Sequence, residues 1–213
     1  MKINSEEKLI NILDNDLAWR KKELSYTKAL VLSSKSKNQE YTIRSGILVL
    51  YAHWEGFIKN SSRWYINYLR NQKLKYCELS DNLVTLSLKS SFVECGNTKK
   101  TRVHFKIVNI LLNGMASLST IPSDKEAIAT NSNLNFETFL EIVFSIGLDH
   151  KDFELKENYL DEGLIKTRNE IAHGEYEIPD VVDYLDWHDT IIEIIDSFQD
   201  KISDAIINKR YLK

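Results

Sequence analysis

An all-α fold is what this sequence predicts, and three observations carry the prediction. Glycine and proline, which punctuate β-rich and loop-rich chains, are scarce: 7 Gly and 2 Pro in 213 residues. Long stretches are rich in Leu, Ile, Lys and Glu, which lose little freedom in a helix. Within those stretches apolar residues recur at helical spacing, as in Val182, Leu185, Ile192, Ile195, Phe198, Ile202 and Ile206. The expectation is a bundle of long antiparallel helices with extra short ones, in a single domain over 1–213 long enough for a substantial core.

Asn4, with Glu7 three residues on, has the form of a capping box and opens a helix from about Ser5 to Leu32. Leu9, Ile10, Leu13, Leu17, Leu24, Ala29 and Leu32 give it an interrupted apolar face. The polar run Ser33 to Asn38 is a turn, and a second helix is expected from Gln39 to Gln72. The front half of that helix is apolar on nearly all sides, which places it at the centre of a bundle. Helices are expected over Leu83–Phe92 and Val103–Leu118. Residues 119–135, with Pro122 and several Ser and Asn, read as the longest loop or a lid. Asn135 then caps a short helix, Phe136 to Ile146, stopped at Gly147. One helix is expected from Lys156 to His173, and a last one begins at Pro179 and Asp180 and runs to about Arg210. Its outer face carries Asp183, Asp186, Asp189, Glu193, Asp196, Asp200 and Asp204, a surface that repels RNA and suits either solvent or a basic partner.

The formal charge of -3 supplies no global pull toward nucleic acid, so any RNA contact needs a local patch. Lys99, Lys100, Arg102 and Lys106 form the densest basic cluster. With Lys59, Arg63 and Arg70 it is the candidate track for a phosphate backbone; the same residues also read as solvated helix ends. Trp64, Tyr65 and Tyr68 are candidate base-stacking groups, or core. Cys77 and Cys95 have no CxxC or His-rich company, so no metal site, cofactor or disulfide framework is expected. No apolar run approaches a membrane span and no signal segment opens the chain, so a cytoplasmic protein with no membrane contact is expected.

Two stretches carry chemistry. In Leu48–Lys59 the run Ala52-His53-Trp54-Glu55-Gly56-Phe57 sets a carboxylate and an imidazole into an otherwise apolar helix. A buried charge is costly unless paired. Glu55 therefore either pairs with a cation such as Arg168, or caps a turn or reaches solvent past Gly56. The second stretch is Arg168-Asn169-Glu170-Ile171-Ala172-His173-Gly174. Gly174 is the residue type that ends a helix, which puts His173 in the last turn, where the macrodipole favours a cation. Asn169 and His173 share a face, whereas Arg168 and His173 are offset by about 140° of ideal rotation. RNA cleavage without metal needs a base for the 2′-hydroxyl, an acid for the leaving oxygen and a cation for the phosphorane; His and Arg suit those tasks. On spacing alone the pair reads first as a surface arginine and a helix-end dipole partner.

Together, these stretches resemble the R-x4-6-H signature of the HEPN superfamily, many of whose members are metal-independent ribonucleases. The block around His53 and Glu55, followed by the Arg168–Gly174 run, is similar to one branch of HEPN-like nucleases. The resemblance implies a helical bundle that dimerises, with Arg and His of both protomers lining a shared cleft. It implies phosphate binding and transition-state stabilisation for Arg168, proton transfer for His173, an orienting role for Asn169, and a site position of open role for Glu55. Such proteins are commonly toxins of toxin–antitoxin systems or antiviral effectors, so RNA as substrate and an antitoxin or defence protein as partner are implied. Some are silenced by nucleotidylation of a Tyr two residues after the His; here Tyr176 stands three residues after His173, a departure that counts against that control. Other members keep the fold without cleaving RNA, which leaves a non-catalytic RNA- or nucleotide-binding or protein-interaction module as the alternative.

Overall fold

The computed structural model describes residues 2–128 and 134–213, and within them the chain is helical, with isolated bridges in place of strands. Long helices α1 (Glu6–Ser33), α2 (Lys37–Asn71) and α10 (Val181–Ile207) pack pairwise against one another. α2 is the central one: its buried residues run from Ile43 through Tyr51, Trp54, Phe57 and Tyr65 to Leu69. The cap of α1 falls one residue beyond the expected Asn4, because Ser5 Oγ accepts from Lys8 N at 3.3 Å.

Shorter elements close the bundle. α3 (Asp81–Gly96) and α4 (Thr101–Asn113) form a helical hairpin. α4 stops at Gly114 and does not continue to Leu118, because 115–119 pairs with the segment after α2: Tyr76 N donates to Ser117 O and Ser119 N to Leu74 O. The expected loop 119–135 has structure of its own in its described residues. It holds α5 (Asp124–Ala127) and anchors Ile121, Ile128 and Leu134 in the core; its 129–133 portion lies outside the described residues. α6 (Phe136–Ser145) begins as expected, with Asn135 Oδ1 accepting from Thr138 N at 2.8 Å, and is followed by Gly147 at φ +80. Its Phe139 ring meets Trp54, Phe136, Phe153 and Phe198 edge-on at 5.0–6.0 Å, each pair worth about 0.5–1.5 kcal/mol beyond burial.

α10 starts at the Asp180 cap, which accepts from Asp183 N at 2.9 Å, and ends at Ile207, short of Arg210. Val182, expected on its apolar stripe, is 64% exposed. Tyr184, Trp187, Ile191 and Ile194 take the inner positions, because α10 packs on α1 and α2 together and so buries a wider, rotated face. The acidic face is partly claimed from within: Lys21 pairs with Asp196, Lys28 with Asp189 and Lys156 with Glu193. Such surface pairs are worth about 0–1 kcal/mol each.

The expected helix from Lys156 to His173 is broken into pieces. After α7 (Lys151–Glu154) and the single turn α8 (Glu157–Tyr159), residues Leu160–Ile165 form a π-helical turn that feeds α9 (Lys166–Ala172). The wider turn brings Leu160, Leu164 and Ile165, all buried, onto a narrower arc than 3.6-residue spacing gives. Gly163 permits it, since a Cβ there would lie 2.7 Å from Trp187 Nε1.

Candidate functional site

α9 ends in a Schellman motif. Glu175 N donates to Glu170 O at 2.9 Å, Gly174 N donates to Ile171 O at 3.1 Å, and Gly174 takes φ +87. These bonds make His173 the C-cap residue, exposed at the mouth of an open groove of about 460 Å³ that Asn169 also lines. Asn135, Asp161, Glu162, Lys166, Glu170 and Glu175 complete most of its wall, so carboxylates outnumber cations there.

Arg168 points another way. Its guanidinium lies 3.7 Å from the centroid of the Tyr51 ring, and Nη1 donates to Asn169 Oδ1 at 2.7 Å. The expected divergence of Arg168 and His173 is thus bridged by Asn169, bonded to one and sharing a groove with the other. Tyr51 is itself locked: its hydroxyl accepts from Leu134 N at 2.6 Å and donates to Leu134 O at 3.1 Å. Burial, then the Glu55 carboxylate, push the phenol up to about 12, against the opposing pull of Arg168. Glu55 and Arg168 therefore act on one phenol, and Glu55 belongs to the Arg168 neighbourhood.

Gly56 faces Arg20 of α1, where a Cβ would stand 2.8 Å from Nη1, and Glu55 beside it is half-buried. Arg20, 5% exposed, donates to Asp16 Oδ2 at 2.7 Å and to the His53 carbonyl at 3.2 Å. His53 Nε2 lies 3.1 Å from Glu23 Oε2. Burial, then Arg20, hold the imidazole below the usual histidine range, so Nδ1 accepts from Arg20 and Nε2–H donates to Glu23. The His53–Gly56 block thus serves two neighbours: His53 and Gly56 hold α1, Trp54 fills the core, and Glu55 faces the signature helix. Arg20 and Tyr51 were missed in the sequence. Arg20 carried a signal, a charge at the core register between Leu13 and Leu24; Tyr51 carried one too, four residues before Glu55.

None of the expected RNA-contacting cations lines the His173 groove. Arg63 donates to the Ile128 carbonyl at 3.1 Å and holds the chain after α5, and Lys59 sits half-buried one turn before it. Lys99, Lys100 and Arg102 are exposed at the start of α4, and Lys106 pairs with Glu94. Tyr65 and Tyr68 are core residues and Trp64 packs against the core, so base stacking by these rings is overturned. Beyond His173, Arg44 Nη1 donates to the carbonyls of Glu175 and Glu177 and fixes that loop to α2, leaving Tyr176 80% exposed. Among the described residues no three of His, Cys, Asp and Glu converge as a metal site. No described helix is long and apolar enough to cross a membrane.

A family model, HEPN_MAE_28990-like HEPN, matches residues 9–211. The chain belongs to that HEPN family. No curated protein and no solved structure matches it. The matched span takes in the α2 block and the Arg168–His173 run.

Proposed function

We propose that this HEPN chain is a single-domain, metal-independent endoribonuclease acting as a homodimer, with RNA as substrate. The observation that carries the reading is the exposed His173, fixed by a Schellman turn in the groove lined by Asn169, with Asn169 bonded to Arg168. An imidazole takes the 2′-hydroxyl proton, the 2′-oxygen attacks phosphorus, and the P–O5′ bond breaks as a second imidazole protonates the leaving 5′-oxygen. Each protomer brings one such histidine, so a cleft shared by two copies supplies both base and acid. Arg168, aimed by Tyr51 and by Asn169, neutralises the phosphorane oxygens. Glu55 positions Arg168 through the Tyr51 neighbourhood. The family's frequent use as toxins or antiviral effectors makes an antitoxin or defence protein the expected partner and the cytoplasm the expected location.

A second reading, a non-catalytic binding or interaction module, is favoured by one observation: Asp161, Glu162, Glu170 and Glu175 face the groove with Lys166 as the cation. One experiment separates the two. Total cellular RNA is incubated in EDTA with wild type, Arg168→Ala and His173→Ala. Cleavage by wild type alone supports the ribonuclease; equal cleavage by all three, or RNA binding without cleavage, refutes it.

A further inference from the structure

The apolar residues of α4 span a broad arc, and the chain covers one edge of it. Ile107 is its one buried residue and Ile110 is partly buried, both on the side that packs on α3. On the other side Phe105, Val108 and Leu112 are 61%, 48% and 75% exposed, flanked by the exposed Leu111. Arg102, Lys106, Asn109 and Asn113 make its polar side, and an apolar arc wider than one neighbour covers calls for a second. The positions 105, 108 and 112 follow the three-and-four spacing of a helix–helix seam, about 10 Å long at 1.5 Å per residue.

We propose that this face is the contact with a second copy of the chain, α4 against α4 in antiparallel orientation about a two-fold axis near Val108. The charges on α4 decide both partner and direction. Lys99, Lys100 and Arg102 crowd its N-terminal end; it has no acidic residue in its first turn and no basic residue in its last. Those cations oppose the positive end of their own helix dipole. In an antiparallel pair they meet the C-terminal turn of the second copy, where the unpaired carbonyls are negative. A parallel pair would set Arg102 beside Arg102. From Ile107 to Asn113 the helix carries no charge, so the middle of the seam is self-complementary: Phe105 meets Leu112 of the second copy, and Leu112 meets its Phe105. The proposal does not rest on the ribonuclease reading. α4 contributes no residue to the His173 groove, so this contact leaves that groove open. Combined with a shared α9 cleft, it links one dimer to the next.

The test is solution mass by light scattering at tens of micromolar, for wild type and Phe105→Glu/Leu112→Glu. Both residues are exposed in the single chain, so the variant keeps its helical circular dichroism and a melting temperature within a few degrees. The expected result is a wild-type mass that is an even multiple of the 24.8 kDa chain and falls twofold in the variant. In a Cys77→Ser/Cys95→Ser background, Val108→Cys crosslinks between copies on oxidation and Arg102→Cys does not. A monomeric wild type, an unchanged mass in the variant, or crosslinking at 102 in preference to 108 overturns the proposal. A monomer that instead sediments with phosphatidylglycerol vesicles through Phe105 and Leu112 also overturns it, by assigning the face to a lipid surface. Mass and crosslinking do not read cleavage, so failure here and failure of the ribonuclease reading are separate results.

Discussion

Replacing Gly56 by Ala tests whether the α1–α2 contact is built around Arg20. In the middle of an exposed helix this change stabilises by about 0.8–1 kcal/mol, because Ala is the better helix former. Here the new methyl would lie 2.8 Å from Arg20 Nη1 and 3.2 Å from Nη2. The tip of an arginine usually moves aside at little cost. This one is held by Asp16 and the His53 carbonyl, has the Trp19 ring 4.8 Å from its Cζ, and is almost wholly buried. Displacing it breaks a buried ionic network, which costs about 3–5 kcal/mol when one partner is lost. Subtracting the helix gain leaves a destabilisation of about 2–4 kcal/mol. For a chain of this size each kcal/mol moves Tm by about 2–4 °C, so the expected fall is on the order of 10 °C. The assay is urea and thermal unfolding by circular dichroism, with Gly96→Ala as control, since nothing lies within 4 Å of a Cβ there. In an Arg20→Leu background the cost of Gly56→Ala should vanish, a coupling that a double-mutant cycle reads directly. A Gly56→Ala protein as stable as the Gly96→Ala control would refute the reasoning.

Other outcomes follow from the same contacts. Arg168→Ala and His173→Ala each abolish RNA cleavage; His173→Ala leaves Tm within a few degrees, while Arg168→Ala also forfeits the Tyr51 contact, about 0.5–2 kcal/mol, visible in the urea midpoint. Gly174→Ala places an L-residue at φ +87 and costs about 1–2 kcal/mol; it also resets the turn that presents His173, so cleavage falls more than stability does. The buried His53 sets a pH dependence. Its folded pKa lies below the unfolded value of about 6.5, so between the two the unfolded chain binds the extra proton. Its contribution to stability is complete above the unfolded value and is lost as pH falls through the folded one. The urea midpoint should drop as pH falls below about 6.5, and His53→Gln should flatten that slope.

The Schellman stop at Gly174, the Asn135 and Asp180 caps and the central place of α2 were legible because each rests on local chemistry. A glycine accepts φ +87, a side-chain oxygen reaches a nearby N–H, and a helix apolar on nearly all sides must be enclosed. The same locality made the Arg168–Gly174 run recognisable. The continuous helix expected from Lys156 failed because a π turn depends on what stands opposite: Trp187 reaches the backbone at Gly163, and no feature of 156–173 alone announces it.

The roles of the charged residues were decided in three dimensions. Arg63 looked like a phosphate contact and is bonded to the Ile128 carbonyl; the acidic face of α10 looked suited to solvent or a basic partner and is answered in part by Lys156, Lys21 and Lys28. His53 and Glu55 serve different neighbours, because helical positions two residues apart point about 200° apart and meet different elements. From the sequence alone came the all-α class, the caps and stops, and the Arg168–His173 run as the place to look. Only the tertiary structure determined that Tyr51 carries Arg168, that Asn169 links it to the His173 groove, and that Arg20 fills the space left by Gly56. The physical reason is range: caps and stops act across a few bonds of one chain, whereas the partner of a charge is chosen by whichever helix packs against it.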